Sequence, residues 1–379
     1  ATTTTVPDEL NNCLLDSQPC RTLAQAVDQA WRRDTIKMAN GVYTDADTAQ
    51  MGMLAWVRKA VTVAGSYAPN WSGSTPEAAS TILDAENQGV VLFANDATTL
   101  TLEGLTLRNG KGERGGIIEA IATRLLMSHC VVSNATVGDT LIRGGLIYLS
   151  DSDSSHIADS HLEGSSDTGI FATASEDLFL IRNVISGNSA EGIYFDRGPG
   201  GPITATLMQN EVIHNGGNGI HFQSENYGIT VVSNTIADNG PETYALTGRG
   251  IFFASNEDVN LTNNLIIDNA REGVYFVRNY NDVTLVDNTV RGNGRKGALT
   301  SGYYGLYFGN NGHNAVLTDN IVMENGAGGI FFGKLNYTHK LAGNFIVENP
   351  GVGVALDQSQ DNVLINNVIA ENGAIGVQV

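Results

Sequence analysis

The sequence has 379 residues, 42% of them apolar and only 16% charged, and it contains 44 glycines. Its 40 acidic and 21 basic residues give a formal net charge of −19. This charge argues against nucleic acid or an anionic membrane as a partner, because both attract basic surfaces. A polyanionic sugar would need a local basic cluster or a bridging cation. No apolar stretch is long enough to span a membrane.

The first 54 residues lack the pattern that fills the rest of the chain. The stretch from Leu23 to Trp31 has the apolar spacing of an amphipathic helix. Residues 34–44 predict a strand, a turn and a second strand. We predict that residues 1–54 form an N-terminal cap whose helix covers the open end of the first coil. Residues 55–379 are then a single domain of stacked coils.

The cysteines and the end of the chain give further expectations. Cys13 and Cys20 are close enough in sequence to form a disulfide, as in a secreted protein, and Cys130 lies in an apolar run that predicts a buried thiol. The last coil stops at Val379 in mid-pattern, with no counterpart of the N-terminal helix. We expect that the protein continues, or that another chain or a tight terminus covers this end. The expected form is a monomer or a part of a longer multidomain chain.

An internal repeat dominates the sequence from about residue 180 onward. Two asparagines recur five positions apart, with an aliphatic residue three positions before the first and another two positions after it. The first asparagines are spaced by 27, 24, 30, 24, 32, 24 and 23 residues, which indicates a short basal coil with loops inserted in the longer ones. The pairs are Asn183/Asn188, Asn210/Asn215, Asn234/Asn239, Asn264/Asn269, Asn288/Asn293, Asn320/Asn325, Asn344/Asn349 and Asn367/Asn372.

A coil of this length fits three short strands separated by three turns. The aliphatic positions then point inward and stack from coil to coil. The asparagines fall at bends, where they tolerate unusual backbone angles and can bond to their copies in the next coil. A leucine-rich repeat has a similar length but a different leucine spacing. The predicted fold class is therefore all-β, a right-handed parallel β-helix with an N-terminal capping helix. The coils before residue 180 follow the pattern more loosely.

The helix-capped start, the Gly-Val-Tyr-Thr strand at residues 41–44 and the Asn-rich coils resemble the pectate-lyase-like superfamily of right-handed β-helix proteins. The resemblance covers nearly the whole chain. It implies the fold, but the superfamily includes polysaccharide lyases, glycoside hydrolases, uronan epimerases, phage tailspikes and non-catalytic surface proteins. The sequence lacks the paired aspartates of polygalacturonases, the Tyr-Gly-Phe-Asp-Pro-His motif of mannuronan epimerases, the Arg-x-Pro-x-x-Arg run of pectate lyases and the calcium-binding nonapeptide. No family's catalytic residues can be transferred to this chain.

A recurring Gly-Ile-x-Phe strand predicts a candidate binding face, because side chains alternate along a strand. The predicted inner pairs are Ile193/Phe195, Ile220/Phe222, Ile251/Phe253, Val274/Phe276, Leu306/Phe308 and Ile330/Phe332. The predicted outer row is Phe171, Tyr194, His221, Phe252, Tyr275, Tyr307 and Phe331. An exposed aromatic row is unusual and suits an extended glycan. The alternatives are that these rings only stack on each other or that inserted loops cover them.

Three insertions come just before this strand, at residues 134–145, 239–250 and 293–305. Stacked coils would place them on one rim of the face, and loops on a rigid scaffold often carry function. The polar and tyrosine residues in and beside them are Glu191, Asp196, Arg197, Arg249, Arg271, Glu272, Arg278, Arg295, Lys296, Tyr303 and Tyr304.

Two reactions suit such a face. In β-elimination, a base (His221 or Tyr275) takes the C5 proton of a uronic acid while a cation (Arg249 or Arg278) neutralises the carboxylate. In hydrolysis, two carboxylates act across the glycosidic bond, and the candidate carboxylates are Glu191, Asp196, Glu225 and Glu272. The predicted catalytic residues are Glu191, Asp196, His221, Arg249, Glu272 and Tyr275. The predicted substrate-binding residues are Phe171, Tyr194, Arg197, Phe252, Arg278, Tyr304, Tyr307 and Phe331.

The function expected first is a secreted polysaccharide-active enzyme that cleaves glycosidic bonds of an extended glycan in a groove along the β-helix. The acidic charge favours a hydrolase of neutral or weakly charged glycans, whereas the His/Tyr/Arg cluster favours a lyase. The alternatives are a non-catalytic carbohydrate-binding or adhesive cell-surface domain and a structural spacer. Ligand spacing predicts no cofactor and no metal site, and a calcium bridge between carboxylates is left open.

Overall fold

The chain folds into a right-handed parallel β-helix, the fold class predicted from the sequence. The computed structural model describes residues 13–15, 18–44, 53–68, 80–138, 144–223, 225–241, 247–295 and 303–379. Each regular coil contributes one strand to each of three parallel sheets. In one such coil, Ile193–Asp196 lies in sheet 1, Ala205–Met208 in sheet 2 and Glu211–Ile213 in sheet 3.

The strands of each sheet follow in chain order, and Leu92–Glu103 and Gly115–Ser128 run through both sheet 1 and sheet 2. Sheet 1 also contains Ala55–Val57, Gly145–Ser150, Thr168–Thr173, Ile193–Asp196, Ile220–Phe222, Ile251–Phe253, Val274–Arg278, Leu306–Asn310, Ile330–Phe332, Val354–Leu356 and Val377–Gln378. Sheet 2 also contains Thr35–Ala39, Val61–Tyr67, His156–Ala158, Leu178–Ile181, Ala205–Met208, Ile229–Val232, Glu257–Thr262, Asn281–Val286, Val316–Thr318, Lys340–Ala342 and Val363–Ile365. Sheet 3 contains Gly41–Tyr43, Thr81–Asp84, Thr106–Arg108, Val131–Val137, His161–Ser165, Val184–Ser186, Glu211–Ile213, Thr235–Ala237, Leu265–Ile267, Thr289–Arg291, Ile321–Met323, Phe345–Val347 and Val368–Ala370, and the short strand Lys111–Gly112 pairs with Val131–Val137.

The helix Leu23–Gln29 packs at the N-terminal end of the coils, where the sequence predicts it. The side chain of Thr22 caps this helix by accepting a hydrogen bond from the backbone N–H of Gln25 at 3.1 Å. Leu23 and Val27 belong to the same buried cluster as the interior of the coils. The apolar face of the helix therefore shields the open end of the core from water.

The first coil strands precede residue 55. Thr35–Ala39 pairs with Val61–Tyr67 in sheet 2, and Gly41–Tyr43 pairs with Thr81–Asp84 in sheet 3. They are the strand, turn and strand predicted for residues 34–44. Backbone hydrogen bonds thus join the N-terminal segment directly to the coils.

The three cysteines adopt the predicted states. Cys13 and Cys20 form a disulfide. Cys130 is only 1% exposed, and burial raises the pKa of its thiol to about 12. A thiol in this environment stays protonated and unreactive.

None of the helices among the described residues is long and apolar enough to cross a membrane.

The interior is filled by side chains that stack in register from coil to coil. The predicted inner pairs, from Ile193/Phe195 to Ile330/Phe332, are at most 1% exposed. The phenyl rings of Phe195, Phe222, Phe253, Phe276, Phe308 and Phe332 stack with centroids 4.5–5.1 Å apart. Burial of this apolar area, at about 25 cal/mol per Å², is the main favourable contribution to folding.

Two ladders of buried asparagines run along the bends, as predicted. The backbone N–H and the side-chain amide of Asn234 both donate to Oδ1 of Asn264 in the next coil, at 2.9 and 3.1 Å. The same amide donates to the carbonyl of Leu207 in the preceding coil at 2.9 Å. A bend cannot pair all of its backbone groups within the sheets, so each asparagine supplies the missing partners.

Serine continues the ladders in the coils that the asparagine pattern misses. The backbone N–H of Ser160 donates to Asn183 Oδ1 at 3.1 Å, and that of Ser165 donates to Asn188 Oδ1 at 3.0 Å. One coil earlier, the N–H of Cys130 donates to Ser160 Oγ at 3.1 Å. A hydroxyl accepts the same backbone bond, which is why these coils keep the fold without the asparagines.

Two titratable aromatic side chains, Tyr280 and His339, lie inside the C-terminal coils, besides the asparagines of the ladders. Tyr280 and His339 are 0% exposed, with ring centroids 6.0 Å apart. His339 Nδ1 accepts a hydrogen bond from the N–H of Ala315 at 3.1 Å, which places the ring proton on Nε2. Burial lowers the pKa of His339 to about 3, with a smaller effect of His313, and burial raises the pKa of Tyr280.

We predict that Asn264→Ala destabilises the β-helix, because it leaves buried backbone and amide groups of Asn234 without their acceptor. The expected loss in the free energy of unfolding is about 1–3 kcal/mol, measured by denaturant titration. The control is Asn260→Ala, whose side chain lies on the outer side of sheet 2, and it should cost less than about 0.5 kcal/mol. Equal losses in the two variants would contradict the role of the ladder.

We also predict acid sensitivity from His339, whose pKa is lowered in the folded protein. Because an unfolded histidine titrates near pH ~6.5, protonation favours the unfolded chain. The stabilisation is complete above about pH 6.5 and is lost toward pH 3, by up to about 1.4 kcal/mol per pH unit. His339→Asn keeps an acceptor for Ala315 and does not titrate, so its unfolding free energy should depend less on pH in this window. If the unfolding free energy changed with pH equally steeply in both proteins, the acid sensitivity would not come from His339.

Candidate functional site

The outer row of sheet 1 is longer than the sequence predicts. Backbone pairing places the predicted members, Phe171, Tyr194, His221, Phe252, Tyr275, Tyr307 and Phe331, in one register line. The same line continues toward the N-terminus through Tyr148, Glu119, Phe93 and Trp56. We call the whole line, from Trp56 to Phe331, the aromatic row.

Most rings of the aromatic row stack on one another. The rings of Tyr148 and Phe171 are 5.4 Å apart with an interplanar angle of 3°, and those of Tyr275 and Tyr307 are 4.7 Å apart with an angle of 19°. Parallel rings at these distances cover each other's faces and direct their edges outward. Phe171 and Tyr194 are only 6% and 5% exposed, so the row is less exposed here than expected.

The stack is broken at His221. Its imidazole is tilted by 49° against Tyr194 and by 63° against Phe252, with centroids 4.3 and 4.4 Å away. Nδ1 lies 3.4 Å from Oε1 of Glu191, and Nε2 lies 3.2 Å from Oε1 of Gln223. Glu191 and His221 are therefore brought together, as a buried carboxylate beside a nearly buried imidazole.

A second line of side chains runs beside the aromatic row. Its members each precede the glycine that opens a strand of sheet 1, and we call it the polar row: Glu191, Asn218, Arg249, Glu272 and Tyr304. The glycines are required because the chain is crowded there. A Cβ on Gly192 would lie 2.7 Å from the carbonyl oxygen of Gly219 and 2.8 Å from Asn215 Nδ2.

Asn218 links the imidazole to the next coil. Its Oδ1 accepts hydrogen bonds from the backbone N–H groups of Gly248 and Arg249 at 3.2 and 3.0 Å. Its Nδ2 lies 3.5 Å from His221 Nδ1. The amide thus fixes the backbone that carries Arg249 relative to His221.

Two arginines flank one carboxylate in the next two coils. Glu272 Oε2 lies 2.9 Å from Nε of Arg249 and 3.6 Å from Nε of Arg271. The guanidinium of Arg249 also packs 5.1 Å from the centroid of Phe252 and 4.4 Å from that of Tyr275, while that of Arg271 lies 4.4 Å from Tyr303. We call Arg249, Glu272 and Arg271 the triad. It carries a net positive charge in a protein of charge −19.

Burial governs the titration of this region. It lowers the pKa of Arg249, against the opposing carboxylate of Glu272. It raises the pKa of Tyr275 and Tyr304, and it raises the pKa of Tyr307 to about 12. These phenols therefore stay protonated at neutral pH.

The other predicted residues lie toward the opposite end of the strands. Asp196 ends its strand in register with Thr173, and Arg278 is exposed in register with Asn310. Arg197 forms an exposed ion pair with Glu225. The structure therefore places Asp196, Arg197 and Arg278 apart from the polar row.

The three predicted insertions all connect sheet 3 to sheet 1, on the side of the polar row. Their described parts include Gly248 and Arg249, which bond to Asn218, and Tyr303, which contacts Arg271. Lys296 and residues 139–143, 242–246 and 296–302 lie outside the described residues.

Sequence reasoning missed Asn218 and Gln223 as neighbours of His221, and it included Arg271 only as a loop residue. The signal that would have found Asn218 is its position directly before Gly219, which corresponds to the position of Glu191, Arg249 and Glu272 in the other coils. Gln223 lies two positions after His221 on the same strand face. Within the described part of the chain, no group of three or more His, Cys, Asp or Glu side chains is arranged to hold a metal ion.

We predict that Glu272→Ala lowers the free energy of unfolding by about 3–5 kcal/mol, because two largely buried guanidinium groups lose their carboxylate. Glu225→Ala is the matched control, since it breaks the exposed pair with Arg197 and should cost less than about 1 kcal/mol. Chemical denaturation measures both. A small loss in Glu272→Ala, equal to that of the control, would show that the triad is not an interdependent unit.

Comparison with known proteins agrees with this architecture. The family model described as "Right handed beta helix region" matches residues 78–236, 169–340 and 298–379. Among curated proteins, none matches the chain significantly. The A-module of a mannuronan C-5 epimerase of Azotobacter vinelandii is similar, with a TM-score of 0.55, 13% identity, and coverage of 91% of this chain and 87% of that one. A double mutant of a periplasmic alginate epimerase has a TM-score of 0.53 at 13% identity, with 88% and 85% covered. At such identities the likeness shows the fold alone, and the family match shows that this chain belongs to the right-handed β-helix family.

Proposed function

We propose that the protein acts on an extended uronic-acid polysaccharide bound along sheet 1, by removing the proton next to the sugar carboxylate and cleaving the glycosidic bond by β-elimination. The observation that carries this proposal is the position of the His221–Glu191 pair next to the Arg249–Glu272–Arg271 triad, where the aromatic row and the polar row run side by side. A strongly acidic protein needs a local cationic cluster to bind a polyanion.

The imidazole of His221 is the candidate base. Histidine is the side chain that most often performs general acid–base catalysis at neutral pH. When Nδ1–H donates to Glu191, Nε2 carries the lone pair, and the Gln223 amide, whose Oε1 lies 3.2 Å away, must turn or move aside for Nε2 to act as the base. The distance of 3.4 Å is long for such a bond, and catalytic hydrogen bonds often tighten only when substrate is bound. Glu191 then orients the ring instead of reacting itself.

Arg249 is the candidate neutraliser of the sugar carboxylate. Its guanidinium and the His221 ring both lie against Phe252, at 5.1 and 4.4 Å from the ring centroid. Stabilising the negative charge that develops on the carboxylate lowers the barrier to removal of the C5 proton. The C5–H electron pair then forms the C4–C5 double bond, the C4–O bond breaks, and the departing oxygen takes a proton from water, whose hydroxide is neutralised by the proton that His221 releases.

Hydrolysis fits the polar row less well. The two buried carboxylates, Glu191 and Glu272, are separated by three coil steps, about 14 Å at about 4.8 Å per step. Paired carboxylates in glycosidases are roughly 5–9.5 Å apart. Asp196 and Glu225 lie in neighbouring coils at the far end of the strands, away from the aromatic stack. They are the remaining candidates for the catalytic carboxylates of a hydrolase.

The similar structures guide the choice of substrate. They include a mannuronan C-5 epimerase and an alginate epimerase, and taking a proton from C5 is the chemistry that epimerisation at C5 shares with β-elimination. Polymannuronate and alginate are therefore the first polysaccharides to test. The absence of the Tyr-Gly-Phe-Asp-Pro-His motif means that this chain would use a different set of residues.

A second candidate is a non-catalytic glycan-binding or adhesive domain. Mutual stacking of the rings favours it, because a row that shows mainly ring edges also serves as a structural element. The Cys13–Cys20 disulfide supports a secreted or cell-surface location under either proposal.

The proposal predicts an unsaturated product. The protein is incubated with alginate, polymannuronate, pectate and a neutral glucan, and absorbance near 235 nm is recorded with reducing ends. Acidic substrates should give both signals. His221→Ala should reduce turnover by roughly 10²–10⁴-fold, and Arg249→Lys should reduce it because the planar guanidinium that packs on Phe252 and Tyr275 is lost.

The control variant is His214→Ala, whose imidazole is exposed outside sheet 1, and its turnover should be unchanged. Reducing ends without absorbance would indicate a hydrolase. Binding without product would favour the adhesive domain. Turnover that survives His221→Ala would remove His221 from the reaction.

A further inference from the structure

The outer side of sheet 3 carries an exposed apolar stripe in its last five strands. The stripe consists of Leu265, Thr289, Ile321, Phe345 and Val368, which occupy one register line. Leu265, Ile321, Phe345 and Val368 are 38%, 39%, 43% and 48% exposed. A contiguous exposed apolar surface marks a site of interaction more often than scattered single residues do.

A second outward line runs beside this stripe and widens it except at Val347, which is only 5% exposed. It consists of Ile267, Arg291, Met323, Val347 and Ala370. None of the ten described positions in the two lines holds a carboxylate, and Arg291 is their one charged residue. Along the same register line in the earlier strands, apolar and polar residues alternate by contrast, in the order Val131, His161, Val184, Glu211. The stripe is thus a local feature and not a property of the repeat.

Carboxylates line both margins of the stripe. Asp268, Glu324, Glu348 and Glu371 occupy the turns that follow these strands, and Asp287 and Asp319 occupy turns that precede them. Glu348, Glu371, Asp287 and Asp319 are exposed. Glu324 has a partner, Arg295, at 3.7 Å. An apolar surface between acidic margins is complementary to an apolar surface with basic residues on both sides.

We infer that this stripe is the docking site of an amphipathic helix of a partner protein, with apolar residues on one face and Lys or Arg on both flanks. Parallel sheets with apolar outer faces are normally covered by helices. The basic flanks would pair with the acidic margins. A second copy of this chain fits poorly, since face-to-face association would oppose two sets of acidic margins in molecules of charge −19.

The dimensions set the length of the helix. Four coil steps separate Leu265 from Val368, about 19 Å at about 4.8 Å per step. A helix rises about 1.5 Å per residue, so about 13 residues cover the stripe. Apolar residues at intervals of three and four would meet the stripe.

The test uses a fluorescent synthetic helix of about 14 residues, with leucines on one face and lysines on both flanks, and fluorescence anisotropy. Ile321→Gln/Phe345→Gln should weaken binding by about tenfold or more. Glu324→Gln/Glu348→Gln/Glu371→Gln should weaken it by about tenfold and reduce its dependence on salt. The matched control is Val184→Gln/Ile213→Gln on the same sheet outside the stripe, and it should change the dissociation constant by less than about twofold.

Thermal melting verifies that each variant is folded. The docking site is refuted if the control variant weakens binding as much as the stripe variants, or if an analogue with glutamates in place of lysines binds equally well. Sedimentation of the protein alone adds a further check. A dimer that Ile321→Gln/Phe345→Gln dissociates would show that a second copy covers the stripe and would overturn the inference.

Discussion

Hydrogen bonds between buried asparagines of adjacent coils are the constraint on which the rest of this molecule depends. A coil that turns three times exposes backbone groups at each bend, and the interior offers them no water. Asn210, Asn234 and Asn264 supply these missing partners in successive coils. The Oδ1 atom accepts from the backbone N–H of the asparagine one coil before, and the side-chain amide donates to a strand carbonyl of that preceding coil. Without these bonds the bends would carry unsatisfied buried groups, at a cost that few domains can tolerate.

The candidate site follows from the regular spacing that these ladders impose. Residues separated by 24 to 32 positions in sequence become neighbours about 4.8 Å apart. His221 meets Glu191 from the preceding coil, and Arg249 meets Glu272 from the following one. A rigid scaffold of this kind positions charged groups with little entropic cost on substrate binding. The same regularity produces the stripe on sheet 3, where a run of apolar residues recurs at one outward position.

The sequence predicted the fold, the inner stack and the asparagine ladders because all three depend on period and burial, which a repeat displays directly. It predicted the face on which His221 and Tyr275 lie, since alternation along a strand decides the face, and the insertion at residues 239–250 indicated Arg249 beside it. It did not separate Asp196 and Arg278 from this group, because alternation does not tell which end of a strand a side chain occupies. It also did not predict that the rings of Tyr148, Phe171 and Tyr194 cover each other, since ring orientation depends on side-chain rotamers and neighbours. The serine rungs at Ser160 and Ser165 were missed because a different residue supplies the same acceptor.

We propose that a polyuronate binds along sheet 1 with a sugar carboxylate at Arg249 and its C5 proton facing His221. The most direct measurement is a crystal structure of the His221→Ala variant, in which elimination should stall, soaked with a mannuronate hexasaccharide. We expect density for sugar rings along the aromatic row, with one carboxylate bonded to the Arg249 guanidinium and the C5 atom of that sugar above the position of the missing imidazole. A hexasaccharide bound on sheet 2 or sheet 3, or lying near Asp196 and Glu225 with no contact to Arg249, would contradict it.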